Sequence, residues 1–181
     1  MKQGGVGVGP TDTIYGVLGS ALSSVTVERI YDLRKRNPEK PMIVLISKIS
    51  DLGLFKIELN KWQKEWLKKV WPDKVSVVLK CDKEKYSYLH RGTKSLAFRM
   101  PTKEDLRDLL SEVGPLVAPS ANPEGLPAAI NIEEARKYFG ERVDFYVKGE
   151  DLVGRASTVA SLTNDKMEIL RQGEVLLPEI G

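Results

Sequence analysis

Five polar segments of this 181-residue chain hold the residue types that do chemistry. Residues 10–16, PTDTIYG, place two threonine hydroxyls and a carboxylate side by side. They follow a short apolar run, so they read as a strand-to-helix turn. Backbone N–H groups at such a turn attract anions, and threonines there can orient a small polar ligand. A Thr/Asp helix cap is the alternative, and the local sequence favours it. Residues 34–41, RKRNPEKP, gather four cations, Arg34, Lys35, Arg36 and Lys40, around a proline-stiffened loop. Preorganised cations suit a triphosphate, whose charge must be neutralised before its α-phosphate is attacked. A cationic helix end also complements the helix dipole, and the two readings stand equal.

Residues 95–99, SLAFR, read as a strand carrying Ser95 and ending on Arg99. That guanidinium could grip a carboxylate or phosphate bidentately, and a surface ion pair is its simpler use. In PSANPEG, residues 119–125, Ser120 and Asn122 can offer a hydroxyl and an amide to one ligand, or form ordinary turns. The last pair is ASTV (156–159) with LRQGEV (170–175), which makes Ser157 and Arg171 neighbours if their strands pair. A hairpin with solvent-facing polar residues is the alternative.

Composition narrows the chemistry. One cysteine, Cys81, and one histidine, His90, cannot build a Cys/His zinc site or a Cys-His-Asn protease site. A metal is therefore expected as Mg²⁺ held by substrate phosphates, with no ligand from the protein. There is no Walker A loop and no GxGxxG fingerprint, and the glycines of residues 4–9 read as a flexible lead-in. A net charge of +3 permits phosphate or nucleic-acid binding without requiring it. No apolar run approaches the roughly 20 residues that cross a bilayer, and residues 1–10 lack a secretory apolar core. With a lone cysteine, this points to a reducing cytoplasm.

The elements that must position these motifs follow from periodicity. Strands are expected at 6–8, 42–47, 75–80, 96–100, 116–118, 143–147, 157–162 and 167–171. Helices are expected at 26–35, from an Asn60 cap to before Pro72, at 103–113, and at 132–139 closed by Gly140. Trp62, Trp66, Leu67 and Val70 form an apolar stripe suited to core packing. Alternation early and clustered strands late give an α/β domain, residues 1–181, around a twisted mixed sheet flanked by helices. Ligands in such sheets gather where loops leave strand ends.

Taken in order, the motifs resemble the Sua5/YciO/YrdC family. PTDTIYG looks like its opening motif, RKRNPEKP like its K-x-R…K-P segment, and WPDKVSVVL (71–79) like its W-P-G-P-x-T block. SLAFRMP, SAN, ASTVASL and LRQGEV resemble its Arg-ended strand, S-x-N loop, S-T-V strand and closing R-x-G turn. The likeness runs from Gly9 to Val175 and suggests the short, single-domain form. It implies a deep basic cavity and a nucleotidyltransferase making L-threonylcarbamoyladenylate and pyrophosphate from ATP, L-threonine and bicarbonate, with Mg²⁺, for tRNA modification. Implied ATP contacts are Arg34, Arg36, Lys40, Ser95, Asn122 and Arg171, with Arg36 and Lys40 positioning the phosphates. Implied threonine contacts are Thr13, Arg99, Ser120 and Ser157. A downstream threonylcarbamoyl-transferase complex, and tRNA or double-stranded RNA, are the implied partners.

The chain departs from the family pattern at Arg34, where Lys is common, and at Leu45, where some members have His. It departs again at residues 128–130, which are less polar, and at Ser161, where Asp is common. A paralogue that binds RNA or uses another carbamoyl donor is the alternative.

Overall fold

The computed structural model describes residues 4–163 and 165–177. Within them nine strands form one mixed sheet: β1 (Gly7–Pro10), β2 (Tyr15–Ser20), β3 (Val44–Leu45), β4 (Val75–Lys80), β5 (Ser95–Arg99), β6 (Leu116–Val117), β7 (Phe145–Tyr146), β8 (Thr158–Leu162) and β9 (Met167–Arg171). Their spatial order is β7-β1-β2-β6-β3-β5-β4-β8-β9. The β1–β7, β3–β5 and β4–β8 pairs are parallel, and the remaining pairs antiparallel. The helices are α1 (Ser24–Arg34), α2 (Lys61–Val70), α3 (Ser87–His90), α4 (Glu104–Val113) and α5 (Ile132–Phe139), and 3₁₀ turns occupy Ile49–Phe55, Glu84–Tyr86 and Gly140–Arg142.

Successive strand residues face opposite sides of a sheet, and that alternation sorts core from site. On β5, Leu96 and Phe98 are fully buried and pair with Leu79 and Val77 of β4. They share the main core with Ala160 and Leu162 of β8. Helix α2 joins the same core. Asn60 caps it by accepting from the Gln63 amide at 2.8 Å, and the Gln63 side chain accepts from the Asn60 amide in return. Trp66, Leu67 and Val70 are its buried face. A fully buried leucine such as Leu67 contributes roughly 1.5–3 kcal/mol. A second cluster joins Leu106 and Leu110 of α4 to Leu18, Leu45 and Leu116 of β2, β3 and β6. The neighbouring side chains of β5, Ser95, Ala97 and Arg99, instead line a cavity.

Three expectations are corrected. PTDTIYG does not lead into a helix: it is the turn of the β1–β2 hairpin, with Pro10 opposite Tyr15. The helix-cap reading fails with it. The glycine-rich lead-in is partly strand β1. Gly7 lies under the Phe145 ring, and a Cβ there would stand 2.1 Å from Phe145 Cε2. The strand expected at 42–47 pairs only over Val44–Leu45. Helix α1 presents Val27, Ile30, Tyr31 and Arg34 as its buried face, at the spacing the sequence shows. Among the described residues no helix is long and apolar enough to cross a membrane.

Candidate functional site

The cavity has a volume of about 450 Å³. It is walled by the β1–β2 turn, the end of α1, residues 41–43, strands β4, β5 and β9, residues 118–120 and the start of β8. Thr13, Arg34, Arg36, Ser95, Arg99, Ser120, Ser157 and Arg171 all line it. Four guanidinium groups therefore face one space, and among the described residues no carboxylate lines it. Ala97, Ala118 and Ala156 keep it open where larger side chains would fill it.

The hydroxyls are held by short hydrogen bonds. Thr11 Oγ1 donates to the Ile14 carbonyl at 2.7 Å and accepts the Thr13 amide at 3.2 Å. Thr13 Oγ1 lies 3.1 Å from Thr11 Oγ1. Thr11 has spent its proton, and the Thr13 and Ile14 amides at 3.2 and 3.3 Å occupy its acceptor sites, so the Thr13 hydroxyl can donate to or accept from a ligand. Ser120 Oγ accepts from Arg34 Nη2 at 3.0 Å, which leaves its proton to donate. The Ser157 hydroxyl shares a 2.8 Å bond with Ser76. Ser95 Oγ lies 3.4 Å from Thr93 Oγ1 at the rim.

Arg34 is 3% exposed. Its Nε donates to the Asn122 carbonyl at 2.9 Å and its Nη2 reaches Asn122 Oδ1 at 3.3 Å. Nη1 is buried without a hydrogen-bond partner. Burial, and then the nearby Arg36 charge, push the pKa of Arg34 down to about 10. Arg36 is clamped to its own loop, donating from Nε to the Lys40 carbonyl and from Nη2 to the Pro41 carbonyl. Lys40 and Asn122 do not line the cavity. Lys40 Nζ pairs with Glu124 at 2.6 Å. Asn122 Nδ2 donates to the Pro123 and Leu126 carbonyls. Lys40 therefore reaches a ligand only by leaving Glu124, and Asn122 serves the site by holding Arg34.

Arg99 and its partner Asp12 are both almost wholly buried, with Nη2 and Oδ1 3.0 Å apart. The contact is an ion pair without hydrogen-bond alignment, since Asp12 Oδ1 and Arg99 Nε have no hydrogen-bond partner. Burial pushes the Arg99 pKa down, Asp12 opposes this, and the nearby Arg171 adds to it. Arg171 donates to the Ser157 carbonyl from Nη2 at 2.9 Å. The glycine of the R-x-G turn makes that possible: a Cβ on Gly173 would stand 2.4 Å from the Ala156 carbonyl oxygen. The Gly173 amide donates to Thr158 Oγ1 at 3.0 Å.

This gathering of seven separated motifs around one arginine-lined space has a counterpart among known proteins. The family model Sua5_yciO_yrdC, described as telomere recombination, matches residues 1–173. The chain belongs to the Sua5/YciO/YrdC family. A relative from Mycobacterium leprae is 30% identical, with 100% of this chain and 83% of its own length covered. The threonylcarbamoyl-AMP synthase of Pyrococcus abyssi is 30% identical over 99% of this chain, which spans 54% of that protein's length. The crystal structure of Pyrococcus abyssi Sua5 complexed with L-threonine has a TM-score of 0.87 at 28% identity, covering 95% of this chain and 51% of that one.

Against the Sua5/YciO/YrdC pattern, the departures fall mostly outside the cavity wall. Leu45 is fully buried in the α4 cluster. Residues 128–130 spend backbone groups within the fold: the Ala129 amide donates to Ala121 and the Ile130 carbonyl accepts from Leu152. Arg34 is the departure that does face the cavity. The sequence missed Asp12 as a partner of Arg99, and its only signal was a lone acid in a motif otherwise of hydroxyls.

Proposed function

We propose that this chain is an L-threonylcarbamoyladenylate synthase, a nucleotidyltransferase that uses ATP, L-threonine and bicarbonate. The observation that carries the reading is the cavity wall: four arginines and, among the described residues, no carboxylate, beside the Thr13 and Ser120 hydroxyls. A triphosphate needs such cations, and a zwitterionic amino acid needs both an acceptor and donors. Arg34 and Arg36 would face the phosphates, with Lys40 joining once released from Glu124. Ser95 and Arg171 would lie beside the nucleotide. Arg99, Ser120 and Ser157 would take the threonine carboxylate, and Thr13 would accept from its ammonium or hydroxyl. The L-threonine complex of the Pyrococcus abyssi relative supports threonine as a substrate.

The threonine amine attacks the bicarbonate carbon, and loss of water leaves a carbamate. A carbamate oxygen then attacks the α-phosphate, and pyrophosphate leaves. No side chain need bond covalently to substrate, so positioning and charge neutralisation supply the rate. Mg²⁺ belongs with the triphosphate here, because the donor set is cationic and hydroxylic and Asp12 is committed to Arg99. When bound with ATP it would neutralise phosphate charge. The product suits a transferase that loads tRNA, and RNA itself could meet the cavity's cationic rim. Pyrophosphate release should require both L-threonine and bicarbonate, and release that ignores either would end this reading.

A further inference from the structure

We infer that Asp12 is a positioning residue that sets the aim and charge of Arg99, and with them the carboxylate end of the cavity. The inference rests on the functional reading above. Asp12 sits in the β1–β2 turn one residue before Thr13, which lines the cavity. Its own side chain is 1% exposed and does not line the space. Its two oxygens are divided between elements: Oδ1 lies 3.0 Å from Arg99 Nη2, and Oδ2 accepts the Thr102 amide at 3.3 Å. The carboxylate thus ties the hairpin turn to the segment after β5. An uncompensated guanidinium at the 4% exposure of Arg99 is costly. Without Asp12, Arg99 must turn toward water or lose its fixed direction.

Charge gives the same result. Burial and the nearby Arg171 both disfavour the Arg99 charge, and Asp12, 3.0 Å away, opposes them. Asp12 therefore acts through Arg99 and need not touch the substrate.

The test compares wild type with Asp12→Asn and Asp12→Glu, reading L-threonine binding by calorimetry, both KM values, and discrimination between L-threonine and L-threoninamide. Asp12→Asn should raise the KM for L-threonine at least tenfold, hold the KM for ATP within about twofold, and erase most of the preference for the free carboxylate. Asp12→Glu keeps the charge but displaces it, and should recover part of the loss. If Asp12→Asn does not fold, Asp12→Glu alone should still move the threonine KM and spare that of ATP. Equal losses on both substrates, or tighter threonine binding in Asp12→Asn, would overturn the inference. A wild type that binds no L-threonine would overturn the functional reading instead.

Discussion

Arg34→Met separates what Arg34 does for the fold from what it does for a ligand. The fall of its pKa from 12.5 to about 10 makes the charged group roughly 3 kcal/mol less favourable in place than in water, at about 1.4 kcal/mol per pH unit. Methionine fills a similar volume and removes that penalty. It also strips donors from the Asn122 carbonyl, Asn122 Oδ1 and Ser120 Oγ, at about 1 kcal/mol each. The terms nearly cancel, so the free variant should lie within about 2 kcal/mol of wild type, or about 4–8 °C in Tm for a chain of this size. An anion in the cavity relieves the Arg34 penalty only when Arg34 is present. Thermal unfolding with and without inorganic triphosphate reads both effects. At a hundredfold excess over Kd, wild type should gain about 2.7 kcal/mol, and Arg34→Met should gain little. A full ligand shift in the variant, or a Tm collapse beyond about 15 °C, would refute the reasoning.

Gly173→Ala forces a Cβ against the Ala156 and Ser157 backbone, so it should cost about 1–3 kcal/mol in denaturant unfolding and raise the ATP KM by releasing Arg171. Ala97→Leu plugs the cavity floor, so calorimetry should find ATP binding lost while Tm stays within about 3 °C. The Lys40 ammonium, and next the Asn37 amide, hold the Glu124 carboxyl down at about 2. Its folded pKa is depressed, so its stabilising contribution is present above about 4.5 and is lost as pH falls toward 2. Carboxyl NMR should show that low midpoint, and one raised toward, but still below, the ordinary value in Lys40→Met, where the Asn37 amide remains.

The sequence displayed what local rules govern. The Asn60 cap, the α2 stripe and α5 up to Gly140 follow from spacing alone. Strand β2 is absent from the sequence expectations, and Gly16 and Gly19 interrupt its run of strand-forming residues. They are glycine for tertiary reasons: a Cβ on Gly19 would stand 2.6 Å from Thr26 Cγ2 of α1, and one on Gly16 would crowd Thr11 and the Pro119 carbonyl. Most of the site residues were legible as polar types in loops. Their division of labour was not, because the partners that decide it, Glu124 for Lys40 and Asp12 for Arg99, come from distant segments. Ion pairs across a fold leave no local period to read.

Mass spectrometry of the product made from ATP, Mg²⁺, L-threonine and isotopically labelled bicarbonate tests the central claim most directly. The account predicts an adenylate that carries both the label and the threonine mass, and that vanishes when either substrate is omitted. An unlabelled product, or AMP and pyrophosphate formed from ATP alone, would contradict it.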